Sequence, residues 1–295
     1  MITSQEGERV AYFNGEIVPE SQVRVPFRDR GFKYGDAVFD MTRTFGHKIF
    51  KIETHISRFY NSLRYVDIDP GMSKEEMERW SMEVVNHNYS LLPPNQDMWV
   101  MQRISRGVET IEPGEEQRPT VLIESHPIPF AKRASLYRDG LRIITPSIPR
   151  VPPRFMSPRA KTHNYLNLIL GDLEAQGTDP DAWAVLLDED GNLTEGKGSN
   201  IFLVKDGVVA TPKGQFVLEG ITRGVVLELA GGLGLLAEER DLDLFDAYTA
   251  DEAFLTTSSY QILPVRSVDK REVRHGAPGP ISKQLLAAWS EMVGV

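Results

Sequence analysis

Lys161, Glu195, Arg58 and the run GITR (220–223) are the parts of this chain whose residue types could act together on one small molecule. Lys161 follows a proline-rich stretch (146–158) and precedes a helical pattern. A lysine amine is a nucleophile toward a carbonyl carbon, and once released it can carry a proton. Glu195 lies in LTEGKGSNIF (193–202), between two strand-like runs. A carboxylate facing a ring nitrogen keeps that nitrogen protonated and makes the ring an electron sink. GITR is a glycine turn running into a helix, and the free N–H groups at a helix N-terminus bind phosphate. Thr222 can add its hydroxyl, and Arg58 a bidentate, charge-assisted pair. Each piece alone has an ordinary explanation: a solvated lysine, a turn glutamate, a surface arginine, a capped helix. In this order and spacing the four suit one job, holding a phosphorylated pyridine aldehyde.

The elements that must position them mix strands and helices. Residues 10–13 and 16–18 read as a hairpin around Asn14-Gly15. Residues 37–44 alternate as a strand does, and 53–66 place Ile56, Phe59, Leu63 and Val66 at helical spacing. Ser73 and Glu76 form a capping box ahead of a helix to residue 89. Residues 98–105 and 120–124 read as strands. SHPIPFAKR (125–133) has two prolines and no periodicity, which suggests a linker between a small α/β domain (1–124) and a larger one (134–295). In the larger part, 141–145, 182–187 and 252–256 read as strands, and 200–205 and 208–211 as a hairpin around Asp206-Gly207. Residues 162–176, 222–230 and 280–292 read as helices. The class is α+β, and a doubly wound parallel sheet is disfavoured because strands and helices rarely alternate.

The order of these pieces resembles the class IV, fold type IV, pyridoxal 5'-phosphate (PLP) aminotransferases. That group includes branched-chain, D-amino acid and (R)-selective amine enzymes and the related aminodeoxychorismate lyases. The matching segments are FNGEIVP (13–19), DRGFKYGDAVFD (29–40), HISRF (55–59), RAKTHNYLN (159–167), LTEGKGSNIFLVKDGVVATP (193–212), LEGITR (218–223) and EAFLTTSSYQILPV (252–265). The resemblance implies that Lys161 carries PLP and shuttles the proton, and that Glu195 pairs with the pyridine nitrogen. It implies that Arg58, Ile221, Thr222 and Ser258 bind the phosphate, with Tyr165 near the ring 3-oxygen. The spacing from Lys161 to Tyr165 is that of the D-amino acid and lyase branches. Tyr34, Phe39, Met41, Arg43, Thr257 and Ser259 would line the substrate pocket, the backbone around Thr257 and Ser259 meeting a carboxylate. A two-domain fold type IV enzyme with its active site between the domains, 134–295 being the PLP-binding one, and a homodimer are implied as well.

The donor divides the branches. Phe39 and Arg43 match the branched-chain group, where Met41 and Met101 depart from it, Met101 standing where that group has a carboxylate-binding arginine. QRISRG (102–107) is similar to the D-amino acid and (R)-amine branches, and the loop IPRVPPRFMSP (148–158) to the (R)-amine enzymes. The Arg-x-His of D-amino acid enzymes is absent from VETIEPGEE (108–116). The resemblance thus favours an (R)-amine or D-amino acid donor and a 2-oxo acid acceptor, exchanged by a ping-pong mechanism. An L-branched-chain donor is the alternative, and a lyase of the aminodeoxychorismate type a further one. Arg43 has a second reading as a structural ion pair.

Composition narrows the field in the same direction. The 295 residues carry a net charge of −9 with no basic run, so neither nucleic acid nor an anionic membrane surface is expected as a partner. There is no cysteine, hence no disulfide or thiol chemistry. No apolar run is long enough to span a bilayer, the first residues lack the features of a signal peptide, and a cytoplasmic location is expected. The six histidines show no paired ligand spacing, so no metal is expected, and His55 reads as a helix-surface residue. GNLTEGKG (191–198) misses the hydroxyl residue of a P-loop, since Gly198 follows the lysine.

Overall fold

The computed structural model describes residues 7–93, 96–110 and 117–294, so 111–116 of VETIEPGEE lie outside the described residues. Internal contacts divide the chain into two units, Met1–Ile128 with Ala160–Asn164, and Pro129–Arg159 with Tyr165–Val295.

In the first unit, β1 (Val10–Phe13) and β2 (Glu16–Pro19) turn through Asn14 and Gly15 at φ 49° and 106°. Two positive φ values in a row are what a two-residue hairpin turn demands, and Asn-Gly adopts them at little cost. Then come α1 (Arg30–Tyr34), β3 (Ala37–Phe45), β4 (Lys48–Ile49), α2 (Ile52–Tyr65), α3 (Lys74–Tyr89), β5 (Met98–Ser105) and β6 (Thr120–Pro127). The Ser73–Glu76 capping box starts α3. The strands form one antiparallel sheet in the order β2-β1-β6-β5-β3-β4. β6 runs on past residue 124, because Ser125, His126 and Pro127 stay paired with Val100, Trp99 and Met98 of β5. Val38, Ile104, Tyr12 and Ile123 from the strands bury against Ile56, Phe59 and Leu63 of α2 and Met77 and Val84 of α3. Because side chains alternate along a strand, Asp40, Thr42 and Thr44 share the helix-covered face with Val38. Phe39, Met41 and Arg43 take the opposite face, beside Arg103, Met101 and Trp99 of β5 in register.

The second unit contains α4 (Leu136–Asp139), β7 (Leu141–Ile144), α5 (Leu166–Thr178), β8 (Trp183–Ala184), β9 (Glu195–Gly196), β10 (Ser199–Lys205), β11 (Val208–Thr211), α6 (Ile221–Gly232), β12 (Ala237–Glu239), α7 (Leu244–Thr249), β13 (Glu252–Thr257), β14 (Gln261–Val268), β15 (Arg271–Glu272) and α8 (Pro280–Val293). Nine strands form its sheet, with the path β12-β11-β10-β13-β14-β7-β8, β9 beside β10 and β15 beside β14. The centre is antiparallel and the flanking pairs β11–β12, β14–β7 and β7–β8 are parallel. Phe202 and Phe254 face each other across β10–β13 and stack with centroids 5.0 Å apart. This buried centre gives the turns at its ends a stiff base.

Two sequence expectations shift here. α5 starts at Leu166, not at residue 162, because the backbone of 161–163 is already bonded to β3. Only Trp183–Ala184 of the 182–187 run is strand, although Val185 and Leu186 are fully buried. Among the described residues no helix is long and apolar enough to cross a membrane.

Candidate active site

Lys161 is fixed through its main chain. Its N–H donates to Ser62 Oγ of α2 at 3.0 Å, and its carbonyl accepts from Phe39 N–H at 3.0 Å. The Val38↔Thr162 bridge and the bond from His163 N–H to the Ala37 carbonyl, 2.9 Å, continue the pairing. Residues 161–163 therefore lie along the edge of β3 away from β5. The side chain is buried, with Nζ 4.6 Å from the centre of the Phe39 ring. Ser62 Oγ also donates to the Arg58 carbonyl at 3.1 Å, so one hydroxyl links the Lys161 backbone to the turn of α2 that bears Arg58.

The Arg58 guanidinium grips Asp40 with two parallel bonds, Nε to Oδ2 at 2.8 Å and Nη2 to Oδ1 at 2.7 Å. His55 Nδ1 stands 2.7 Å from the same Oδ1. Asp40 is fully buried and His55 is 1% exposed, so His55 is not a helix-surface residue. Burial works to raise the Asp40 carboxyl, but Arg58 and His55 outweigh it and hold the group well below the usual carboxylate range. An ionised carboxylate only accepts, so His55 Nδ1 carries the proton in this bond. Burial lowers the His55 pKa against the pull of Asp40. Asp40→Asn removes the charge that Arg58 pairs with and should cost about 3 kcal/mol or more in urea denaturation, since breaking one side of a buried pair leaves the other uncompensated. Unchanged stability would mean that the pair does not hold α2 onto β3.

On the opposite face of β3, Arg43 is 2% exposed, with Nη2 on Asp97 Oδ2 at 2.9 Å and Nε on the Thr44 carbonyl at 2.8 Å. That is an internal ion pair, about 13 Å along the strand from Phe39. Met41 pairs across the ladder with Met101, and Phe39 with Arg103. Tyr34 ends α1, half exposed, and its contacts are with Lys33, Arg30 and Glu109. His163 meets Phe39 edge-on at 5.4 Å, and its Nε2 is buried without a hydrogen-bond partner. Burial first, then the charge of Arg103, push the His163 pKa down to about 4.

That depression has a sign. Between the ordinary 6.5 and about 4, the unfolded chain binds a proton at His163 that the folded chain refuses. The stabilisation is complete above 6.5 and is lost as pH falls through this window. The melting temperature should drop over the same range, and His163→Phe should flatten the drop, with a residual slope from His55, whose pKa is also lowered. An equal slope in the variant would sink the assignment.

In the second unit the row Glu195, Asn200, Thr256 crosses β9, β10 and β13 in register. Glu195 is buried. Its Oε1 accepts from Arg150 Nε and Nη2 at 3.2 and 3.0 Å, and its Oε2 from Leu218 N–H at 2.9 Å. Asn200 Nδ2 donates to the Leu218 carbonyl at 2.9 Å, which places the start of α6 beside Glu195. Gly220 is the N-cap of α6, and a Cβ there would meet Asn200 Oδ1 at 2.1 Å. No side chain caps this helix and its first turn has no acidic residue, so Ile221 and the buried Thr222 present N–H groups suited to an anion. Thr257 and Ser259, both buried, and Ser258 lie in the tight turn from β13 to β14, where Thr257 Oγ1 accepts from Tyr260 N–H at 2.9 Å. Tyr165 precedes α5 and packs against a core cluster that includes Ile144, Leu168 and Leu186. Within the second unit, an uncapped helix start and a buried carboxylate held by an arginine suit the phosphate and ring nitrogen of PLP; within the first, a lysine fixed by its backbone suits the aldehyde.

Asp40, His55, Ser62 and Arg150 escaped the sequence reading. Asp40, Thr42 and Thr44, polar on one side of β3, and His55 three residues before Arg58 were signals of a buried polar cluster. Lys197, which gives the P-loop-like run its appearance, pairs with Asp172 at 2.7 Å, and no helix follows it.

The family model for class IV amino-transferases matches residues 37–268. A putative branched-chain-amino-acid aminotransferase of Methanocaldococcus jannaschii is 37% identical over 284 residues, 95% of each chain. A D-alanine aminotransferase of Bacillus licheniformis is 29% identical over 282 residues, 95% of this chain and 96% of that one. Among solved structures, the branched-chain amino acid aminotransferase of Escherichia coli matches with a TM-score of 0.90 at 28% identity, covering 97% of this chain and 95% of that one. Solved branched-chain aminotransferases of the same fold hold N-(5'-phosphopyridoxyl)-L-glutamate and pyridoxamine 5'-phosphate. With the fold, the residues fit for PLP and this match in agreement, the chain belongs to the class IV aminotransferases, PLP-dependent transferases of fold type IV.

Proposed function

We propose that the protein moves the amino group of an L-branched-chain amino acid to a 2-oxo acid in two half-reactions at Lys161. The observation that carries the donor is the 37% identity, over 95% of both chains, to a relative named as a putative branched-chain enzyme. The apolar Phe39 and Met41, on one face of β3 with Phe39 against Lys161, suit an aliphatic side chain. A second reading, a D-amino acid or (R)-amine donor, is favoured by Met101 and by the D-alanine relative.

Bound PLP supplies an electron sink that makes the substrate Cα proton acidic. Lys161 Nζ would hold the aldehyde of the cofactor and, when free, would take that proton and pass it on. Glu195, pinned by Arg150 and Leu218 N–H, would keep the pyridine nitrogen protonated. Arg58, Ile221, Thr222 and Ser258 would hold the phosphate, Tyr165 would serve the 3-oxygen, and the backbone near Thr257 and Ser259 would meet the substrate carboxylate. A homodimer is part of this reading: Phe27, Phe32 and Tyr34, near one another in sequence, are 78%, 77% and 53% exposed, apolar surface that association would cover.

The test mixes the PLP-loaded enzyme with L-leucine, D-alanine and (R)-1-phenylethylamine in separate half-reactions, following the visible absorbance of the cofactor. Fastest bleaching by L-leucine supports the first reading; fastest bleaching by either other donor replaces it with the second. No bleaching, with pyruvate released from aminodeoxychorismate without an acceptor, would replace both with the lyase.

A further inference from the structure

Of the residues proposed to hold PLP, Arg58 and Lys161 belong to the first unit, so the distance between them is set inside that unit. Both are tied to β3 and to α2, and the ties close on themselves. The Lys161 carbonyl accepts from Phe39 N–H at 3.0 Å. Asp40, next in the strand, holds the Arg58 guanidinium with two bonds. The Arg58 carbonyl accepts from Ser62 Oγ at 3.1 Å, and Ser62 Oγ in turn accepts from Lys161 N–H at 3.0 Å. We propose that Ser62 is a positioning residue that sets the spacing between the Arg58 guanidinium and Lys161 Nζ, so that a phosphorylated aldehyde held at Arg58 meets the amine in reacting geometry.

Ser62 is 1% exposed, so its hydroxyl acts on its neighbours and not on a substrate. A hydroxyl has one proton to give and two lone pairs. Ser62 gives its proton to the carbonyl one helical turn back and receives the lysine N–H. The first bond adds nothing to α2 as a helix, where alanine is the better former and such back-bonds bend the axis. It fixes the rotamer of Ser62, and that aims a lone pair at Lys161. β3 holds the segment from one side only, through the Lys161 carbonyl and the His163 N–H. Without Ser62, the peptide that carries the Lys161 N–H loses its hold on α2, and the direction of the side chain is no longer tied to the turn that bears Arg58.

Small errors matter here, since a misplacement of about 1 Å can cost on the order of 100-fold in rate. Ser81 offers a matched control in the same unit. It is equally buried on α3, donates to the Met77 carbonyl one turn back at 2.8 Å, and accepts from Gln102 Nε2 at 2.9 Å. Its bonding repeats that of Ser62, but neither of its partners is a residue proposed to hold PLP.

This inference rests on Lys161 as the attachment point of PLP, and the test separates the two. Apoprotein of the wild type, Ser62→Ala and Ser81→Ala is mixed with PLP, and the rise of visible absorbance is timed. Borohydride reduction and peptide mass spectrometry then locate the adduct. Calorimetry measures pyridoxamine 5'-phosphate, which has the phosphate and ring but no aldehyde. Hydrogen exchange of the Lys161 amide is followed without cofactor. Ser62→Ala should speed that exchange, slow PLP capture about 10- to 100-fold and leave the affinity for pyridoxamine 5'-phosphate unchanged. In turnover it should lower kcat and leave KM for the amino donor unmoved. Ser81→Ala should change none of these. Ser62→Cys, whose thiol is a weaker donor and acceptor, serves if Ser62→Ala does not fold. Equal slowing in both alanine variants, a parallel loss of pyridoxamine 5'-phosphate affinity, or wild-type capture in Ser62→Ala overturns the role of Ser62 while leaving Lys161 as the attachment point. A wild-type adduct on another lysine overturns the parent reading and this inference with it.

Discussion

Lys161→Ala should leave a folded protein that has lost aminotransfer and the visible absorbance of the covalently attached cofactor. Different atoms carry the structural and the chemical functions of this position. The structural one is carried by the main chain: N–H to Ser62 Oγ and carbonyl from Phe39 N–H, both of which alanine retains. The chemical one is carried by Nζ alone, which lies against the Phe39 ring. Truncation should therefore change the melting temperature little, and the Arg58–Asp40–His55 cluster beneath it should stay intact. Turnover should fall by at least about 1,000-fold, the scale for losing a positioned proton carrier. The groups proposed to hold the phosphate lie elsewhere in the chain, so the variant should still bind PLP, now reversibly and removable by dialysis. A variant that kept both the absorbance and the turnover would show that another amine carries the cofactor. One that simply unfolded would show that the side chain, not the backbone, holds 160–164 in the first unit.

Where the chain's own sequence spoke clearly, the signal was local. Asn14-Gly15, Asp206-Gly207 and the Ser73–Glu76 pair each fix a turn or a helix start through residues within a few positions of one another, and each is found in place. The candidate cofactor residues stand out as motifs because a phosphate, a ring nitrogen and an aldehyde call for three different kinds of group. What was not legible is what those residues lean on. Arg58 meets Asp40 from a different element, and Arg150 reaches Glu195 across 45 positions. Neither pairing leaves a period in the sequence, since it depends on which faces meet after folding. The late start of α5 has the same origin: the helical pattern begins at residue 162, but β3 takes up the backbone groups of 161–163 first. His55 was misplaced because an isolated histidine on an amphipathic helix gives no sign of the buried acid waiting across the interface.

Glu195→Gln should separate cofactor binding from catalysis in the second unit. The substitution keeps size and leaves one oxygen able to accept from Leu218 N–H, so the start of α6, tied to Asn200 through the Leu218 carbonyl, should hold its position. It removes the negative charge that would keep a pyridine nitrogen protonated. Arg150, 3.0 Å from the lost charge and buried, is then left facing the neutral amide oxygen Asn167 Oδ1, which already accepts from it at 3.3 Å. An uncompensated buried guanidinium should cost about 3 kcal/mol in urea denaturation. Turnover should fall by about 100- to 1,000-fold, the range for removing one preorganised electrostatic contact in an enclosed site. The double substitution Glu195→Gln with Arg150→Gln sorts the two effects. It should recover much of the stability, because no charge is left stranded, and none of the turnover, because the ring nitrogen still lacks its carboxylate. Recovery of turnover along with stability would mean that Glu195 acts by holding Arg150 and the 146–158 loop in place. Wild-type turnover in the single variant would remove the electron-sink role altogether and would direct the search for the ring-nitrogen partner to another acid of the second unit.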